Sequence, residues 1–439
     1  MPATERRARR NGGAGLRVTL VNLNRQLDIM RVVPLGMGYV AAALREAGHE
    51  VRLFDLGAQV EPASALARSL ADFRPDVVGL SLRNLDADPA LANFAKLRRY
   101  IDLCRRYVPN NRIIIGGSAF SLFPERIMRY FGLSLGVVGE GEEVVPRLLT
   151  TLERSERPEA LPGVATLEGG VFKSEPPRRI TDLDKLPVPL RDVTGLEATT
   201  MINLHGRRGC NMSCIYCVER CLGGRTVRLR SPELVVEEVA ALAHEFPGAD
   251  LFFVDVAFNF PREHALEVCD GIRRRKLRVR WSCYLNPHGA TEELLDAMAA
   301  ADCTMVHVGM ESGSAEMLHR YAKGFSVEEA VRTVEGSSKR GMRVVISLLW
   351  GGPGECERTV RETVSVVSKL RYWQAGSVQG VTIYPGTPFH AWALRRGIVR
   401  PDEDLFEPHH YLSPECRGLN IEGMLEEVGV KGFFVALTR

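Results

Sequence analysis

The sequence predicts an α/β protein of two successive domains, a doubly wound parallel sheet followed by a second run of strand–helix units. Three observations predict it. Apolar strand patterns alternate with helical ones from residue 16 to about 150. A stretch rich in Pro, Gly and charge, Glu153 to Asp192, interrupts the alternation. The alternation restarts at Thr200, where the first new strand delivers a loop with three closely spaced cysteines.

In the first domain Leu16–Leu23 reads as a buried strand, and Leu35–Ala47 as an Ala-rich helix stopped by Gly48. Glu50–Leu56 is the second strand, and Ala63–Phe73 is a helix ended by Pro75. Asp76–Arg83 is the third strand, followed by a long helix from about Pro89 to Tyr107. Arg112–Gly117 and Leu135–Val138 are the fourth and fifth strands, and Glu142–Leu152 closes the domain as a helix. Ligands of such sheets bind beyond the carboxyl ends of the strands. Those ends are Ser81-Leu82-Arg83-Asn84, Gly116-Gly117-Ser118 and Gly139-Glu140-Gly141-Glu142. No G-x-G-x-x-G follows the first strand, which argues against a dinucleotide.

In the connecting stretch, Glu168-Gly169-Gly170 between two short β patterns reads as a hairpin, and four prolines then keep the chain extended. Beyond it, Ser231-Pro232-Glu233 suits a helix start, with Ser as cap. Strands are expected at Leu251–Val254, Arg278–Tyr284, Thr304–Met310, Arg343–Leu349 and Gly380–Tyr384. From about Arg400 an acidic, then irregular, tail is expected to cover the open side of this domain.

Composition sets bounds. The chain has 439 residues, 45% apolar and 25% charged, as in a soluble globular protein, and its net charge of +3 demands neither nucleic acid nor an acidic membrane. No apolar run reaches the ~18 residues of a membrane span. Residues 1–15 carry four arginines and no apolar core, which reads as a frayed basic terminus rather than a secretory signal. Ten cysteines are too sparse for a disulfide scaffold and fit a reducing cytoplasm.

The chemistry centres on Cys210, Cys214 and Cys217, at C-x3-C-x2-C spacing, with Tyr216 just before the third. Thiolates on a short loop can wrap an iron–sulfur cluster, and three leave one iron of a [4Fe–4S] cluster open. A zinc knuckle would need a fourth ligand such as Cys221, in a spacing unusual for zinc. The triad resembles the signature of the radical S-adenosylmethionine (SAM) enzymes. In that family SAM chelates the open iron, and one electron releases a 5′-deoxyadenosyl radical. Gly309-Met310-Glu311-Ser312-Gly313-Ser314, followed by Lys323-Gly324, resembles the family's G-x-E-S-G stretch. The resemblance places Glu311 and Ser312 near SAM. Asp255 and Asn259 stand where many members keep a glycine-rich contact to its amino group, a pattern from which this chain departs. Gly351-Gly352-Pro353-Gly354-Glu355 resembles a structural turn of the family, and Tyr384-Pro385-Gly386-Thr387-Pro388 a turn lining the site. Tyr384 and Tyr411 are the candidates on the substrate side, and no catalytic residue is assigned beyond them.

Pro34-Leu35-Gly36 and the three strand ends of the first domain resemble the cobalamin-binding domain of one large radical SAM class. The resemblance implies cobalamin contacts at Leu35, Gly36, Ser81, Leu82, Arg83, Asn84, Gly116, Gly117, Ser118, Gly139 and Glu140. The D-x-H-x-x-G motif that puts histidine on cobalt is absent, so Arg83 is the candidate for the lower face, or else contacts a propionamide or solvent. The implied architecture is a disordered terminus (1–15), a Rossmann-like, flavodoxin-like cobalamin domain (16–152) and a linker with a hairpin (153–195). A partial (β/α)6 TIM-type radical SAM barrel (196–399) and an extension covering it (400–439) follow.

The function this implies is methyl transfer from SAM, through methylcobalamin, to an unactivated carbon of a small, natural-product-like molecule. The partners are that substrate and a reductant of the flavodoxin or ferredoxin kind, with no nucleic acid. The alternative is rearrangement, cyclisation or oxidation without net methylation. A methylthiotransferase would want further cysteines and an RNA-binding barrel, which are not visible. A non-catalytic corrinoid or SAM sensor would not need the intact triad.

Overall fold

The computed structural model describes residues 15–24, 33–83, 90–192 and 201–437. The chain divides into two compact units, 1–199 and 200–439.

In the first unit β1 (Arg17–Asn22) is followed by α1 (Leu35–Glu46), β2 (Glu50–Asp55), α2 (Pro62–Phe73), β3 (Val77–Ser81) and α3 (Ala90–Arg105). Then come β4 (Ile113–Gly116), α4 (Ser118–Leu122), α5 (Pro124–Phe131), β5 (Leu135–Val137), α6 (Val144–Glu153), β6 (Val164–Glu168) and β7 (Val171–Ser174). The sheet order is β2-β1-β3-β4-β5-β6-β7, parallel through β5. That is the flavodoxin-like order, whose direction reverses between β1 and β3. The strands are continuous apolar runs because helices cover both faces. Val18, Leu20, Val77 and Ile114 pack with Ala41, Leu44, Leu148 and Leu149 of α1 and α6.

The hairpin expected in the connecting stretch is β6–β7, and it extends this sheet: β6 runs antiparallel to β5, with Gly136 opposite Ala165. The next residues stay with the same unit. Leu190 N–H donates to the Gly38 carbonyl at 3.0 Å, and a Cβ on Gly38 would stand 2.4 Å from the Leu190 oxygen.

The second unit opens with β8 (Met201–Leu204), a two-strand ribbon of β9 (Arg207–Arg208) and β10 (Arg228–Leu229) around α7 (Glu219–Leu222), and α8 (Pro232–Glu245). It continues with β11 (Asp250–Phe253), α9 (Arg262–Arg274), β12 (Trp281–Leu285), α10 (Glu292–Ala300), β13 (Cys303–Glu311), α11 (Ala315–Arg320) and α12 (Val327–Lys339). The rest is β14 (Arg343–Trp350), α13 (Glu357–Val367), β15 (Gln374–Gln379), β16 (Val381–Ile383), α14 (Pro388–Arg395), β17 (His409–Tyr411), α15 (Ile421–Glu427) and β18 (Gly432–Ala436). Seven strands pair in parallel in the order β8-β11-β12-β13-β14-β15-β18. Local chemistry sets several boundaries: Ser326 and Glu329 form a reciprocal capping box on α12, and Thr387 caps α14 ahead of Pro388. Ser231 does occupy the cap position of α8, but its side chain makes no capping bond.

Two expectations change here. The strand expected at 380–384 is the short β16, which leaves the main sheet to pair antiparallel with β17. The sheet position is filled by β15, whose sequence QAGSVQ lacks an apolar pattern. The tail is not irregular, for it supplies β17, α15 and the edge strand β18. Among the described residues, no helix is long and apolar enough to cross a membrane.

Candidate active site

The cysteine loop leaves β8 and is held from several sides. Asp255, two residues past β11, is buried and accepts from the backbone N–H groups of Gly206 (2.9 Å) and Arg207 (3.1 Å). The Arg207 guanidinium donates to the carbonyls of Gly209 (2.7 Å), Ala257 (3.1 Å) and Phe260. Gly209 has φ +81°, and a Cβ there would lie 2.2 Å from the Thr226 carbonyl oxygen, so the turn into Cys210 demands glycine. Farther along, Ile215 N–H donates to the Tyr321 carbonyl (3.1 Å), and the Ile215 carbonyl accepts from Phe389 N–H (2.9 Å).

Cys210, Cys214 and Cys217 are half-buried on this pinned loop, whereas Cys104, Cys269, Cys283, Cys303 and Cys416 are buried. Burial raises the Cys214 thiol, with Lys323 pulling the other way. Burial, together with the neighbouring Cys214, Glu219 and Cys210, pushes Cys217 up to about 11. The thiols therefore sense one another, and a coordinated metal would strip their protons. Among the described residues no three His, Cys, Asp or Glu side chains already stand in metal-binding geometry. Three accessible thiols on one anchored loop are nevertheless the donor set a site-differentiated iron–sulfur cluster requires.

Beside the loop lies a buried ion pair. Lys323 Nζ is 3.2 Å from Glu311 Oε1 and donates to Tyr216 Oη at 3.4 Å; the two charged side chains are 9% and 16% exposed. Tyr216 stacks edge-on against Tyr321, with ring centroids 5.6 Å apart. Burial alone would lower the Lys323 ammonium, but Glu311 and then Cys214 hold it above its ordinary value. Glu311 ends β13 at φ +63°, a conformation uncommon outside glycine, and the register with β14 slips between Gly309 and Glu311. Such a bulge re-aims a side chain, and backbone strain of this kind clusters at functional sites.

Of the residues expected near SAM, the structure thus brings Tyr216 and Glu311 to the thiols. Asp255, Asn259 and Ser312 are different, because their polar atoms are spent on the protein. Asp255 holds the loop as described. Asn259 is buried and bonds the carbonyls of Asn286 (2.8 Å) and His288 (3.0 Å) and the N–H of Asn286 (2.9 Å). Ser312 is buried against Thr363 Oγ1 at 2.8 Å and accepts from Ser314 N–H at 3.1 Å. The carboxyl ends of parallel strands shed loops whose backbone donors must be satisfied, and these three side chains help to brace those loops.

Tyr384 begins the turn that Thr387 closes on its carbonyl (2.7 Å), and the Phe389–Ile215 bond ties that turn to the cysteine loop. Tyr411 instead packs its ring on Phe389 and Trp392, at 5.7 and 5.3 Å between centroids. Glu355 of the GGPGE turn is buried, accepts from Gly351 N–H, and through its own carbonyl receives Ser413 Oγ (2.8 Å) and Cys416 Sγ (3.4 Å). Sequence reasoning gave no role to Lys323, Arg207 or Tyr321. The pairs Lys323-Gly324 and Arg207-Arg208, flanking motifs already recognised, were the available signal.

Burial raises the carboxyls of Asp255 and Glu355 to about 7 each. Both then keep a proton in the folded protein up to about pH 7, where the unfolded chain has lost it. Stability should fall as pH rises towards 7, by up to about 1.4 kcal/mol per unit for each group, and then level off. Thermal midpoints from pH 5 to 8 should show this slope, flattened in Glu355→Gln.

In the first unit the crevice at the β1/β3 reversal is bridged: Arg83 N–H donates to Asn24 Oδ1 (3.1 Å), and Ser118 Oγ donates to the Arg83 carbonyl (2.8 Å). The Arg83 side chain is exposed. Gly117, at φ +104°, lets α4 start against β3, since a Cβ would lie 2.3 Å from the Leu82 carbonyl oxygen. Gly36, exposed in the first turn of α1 beside Leu35, has no atom within 4 Å of where its Cβ would be. Leu35, Gly116, Ser118 and Gly139 are half-buried around the same carboxyl ends. Among the described residues, backbone and small side chains thus form a floor there that suits a broad corrin ring. Two of the expected contacts are turned inward: Leu82 is core, and Glu140 accepts from Ile180 N–H at 2.7 Å. Asn84 lies outside the described residues.

His49 is the sole histidine of residues 1–199. It sits at the amino end of β2, opposite the crevice, and accepts from Leu16 N–H at 3.1 Å. Electron paramagnetic resonance of bound cob(II)alamin should therefore show no nitrogen splitting from a protein histidine, in wild type as in His49→Phe.

Comparison with known proteins matches a family to each unit. The B12 binding domain family matches residues 30–149, and the Radical SAM superfamily residues 206–367. An uncharacterised methyltransferase of Pyrococcus horikoshii is 27% identical over 396 residues, covering 88% of this chain and 84% of the relative. The hopanoid C-3 methylase of Methylococcus capsulatus is 28% identical over 401 residues, covering 88% and 73%. The fold is shared with the radical SAM methyltransferase TsrM from Kitasatospora setae, solved with cobalamin and a [4Fe–4S] cluster bound. That match has a TM-score of 0.81 at 24% identity and covers 94% of this chain and 91% of that one. With a B12 binding domain in one unit and a Radical SAM domain carrying an anchored thiol triad in the other, the chain belongs to the cobalamin-dependent radical SAM enzymes, and its cofactors are a [4Fe–4S] cluster, SAM and cobalamin.

Proposed function

We propose that this enzyme transfers a methyl group from SAM to an unactivated carbon of a small molecule. The observation that carries the reading is the half-buried thiol triad set against the Lys323–Glu311 pair, in a chain that also has a B12 binding domain. An unactivated carbon offers no lone pair for polar attack on SAM. Cobalamin, when bound, supplies a carrier for the methyl group, and the cluster supplies the electron that makes SAM a radical source.

This chain's own residues bind and orient. Cys210, Cys214 and Cys217 would hold three irons of the cluster. Lys323 presents an ammonium suited to a carboxylate, and Glu311 an acceptor for hydroxyl or ammonium groups. Tyr216 walls the site. Leu35, Gly36, Ser81, Arg83, Gly116, Gly117, Ser118 and Gly139 would shape the corrin floor, and Tyr384, on the turn tied to the cysteine loop, would meet the substrate. The reductant is a flavodoxin- or ferredoxin-type protein, and the setting is a reducing cytoplasm, where the thiols stay available to iron. The name of the hopanoid C-3 methylase supports carbon as the acceptor atom. Methyl-labelled SAM, followed to a carbon of the product, tests the proposal.

A further inference from the structure

The main sheet of the second unit has two unlike faces. Phe253, Cys283, Val306, Val308 and Ile346 point to one face and are buried. The alternate residues point to the other. There Tyr284 is 39% exposed, and His307, Ser347 and Leu349 are half-buried. Register pairs Tyr284 with His307 across β12 and β13, and Phe252 stands on β11 beside them. Their three ring centroids form a triangle with sides of 5.2, 5.4 and 5.4 Å. Glu311 of the SAM-side ion pair follows His307 on the same strand.

His307 is the unusual member. Its Nε2 is buried and has no hydrogen-bond partner among the described residues. Burial also lowers its affinity for a proton. A buried polar atom without a partner calls for an explanation, and a ligand that brings the partner is one. Aromatic rings prefer flat or edge-on neighbours and add to binding beyond the area they bury. No charged side chain belongs to the triangle.

We propose that Tyr284 and His307, backed by the buried ring of Phe252, form the floor that receives the acceptor substrate, and that the acceptor lays on it a flat, uncharged, unsaturated ring with a polar group for His307 Nε2. The proposal rests on the methyl-transfer reading above and names its substrate class.

The test is binding of three probes, 4-fluorophenol, 4-fluoroanisole and trans-4-fluorocyclohexanol, to the cofactor-reconstituted protein, followed by fluorine NMR. The phenol should bind more tightly than the saturated alcohol. Tyr284→Leu should weaken it by about two- to tenfold. His307→Phe keeps a ring but no nitrogen, and should erase the preference for phenol over anisole. Both sites are partly open, and unchanged thermal midpoints would show that the variants fold. Equal affinity for the flat and saturated alcohols, or phenol binding indifferent to both substitutions, would overturn the proposal. Flat-ring selectivity without methyl transfer would count against the proposed function alone, and methyl transfer without that selectivity against this inference alone.

Discussion

Replacing Cys210, Cys214 and Cys217 together by alanine should take bound iron from about four per chain to near zero and abolish SAM cleavage. The thiols are half-buried side chains on a loop that backbone bonds to Tyr321 and Phe389, together with Asp255, already fix. The fold should therefore survive, with an unchanged circular dichroism spectrum. The buried thiols Cys269 and Cys283 cannot take over, because burial pushes both well above the ordinary thiol range and neither lies on the loop. Iron content after anaerobic reconstitution is the check. A full cluster in the triple variant would point instead to Cys221 and another thiol.

Lys323→Met should be the most damaging single substitution outside the triad. Its removal leaves Glu311 buried without a counter-charge, which costs about 3–5 kcal/mol. The loss should appear in denaturant midpoints, and the double variant Lys323→Met/Glu311→Gln should recover part of it, because the two side chains act as a unit. The pair's sign with pH follows from Lys323. Its folded value lies above the ordinary 10.5, so the contribution is complete at neutral pH and is lost only as pH rises through the folded value. If Lys323 also meets SAM's carboxylate, SAM affinity in the same variant should fall by about ten- to a hundredfold. Arg in place of Lys323 should restore charge but not the fit beside Tyr216.

Much of the architecture is legible in the sequence because parallel strands must be apolar on both faces. LRVTLVNL and RIIIGG declare themselves, and so does the 231–233 helix start. The strand β15 does not. QAGSVQ is small and polar, and it belongs to the sheet only because β14 and β18 flank it. β16 carries the better local pattern yet pairs with the tail, a choice made by tertiary contacts.

The site divides in the same way. Cysteine spacing is a local property, so the triad is visible from sequence. Which polar residue at a strand end faces a ligand is not local. Asp255, Asn259 and Ser312 stand at the right ends, but each satisfies loop backbone or a neighbouring helix. Lys323 meets Tyr216 across 107 positions of sequence, and no pattern announces such a meeting.

Methyl transfer to carbon can be followed directly with an isotope. The reconstituted enzyme is given SAM carrying a labelled methyl group, a reductant and the small-molecule extract of cells lacking this chain. The label should appear on a carbon of one product, with S-adenosylhomocysteine formed in at least equal amount. 5′-Deoxyadenosine should accompany it where that carbon is saturated. A product without label, accompanied by 5′-deoxyadenosine alone, would contradict methyl transfer and identify a rearrangement, cyclisation or oxidation.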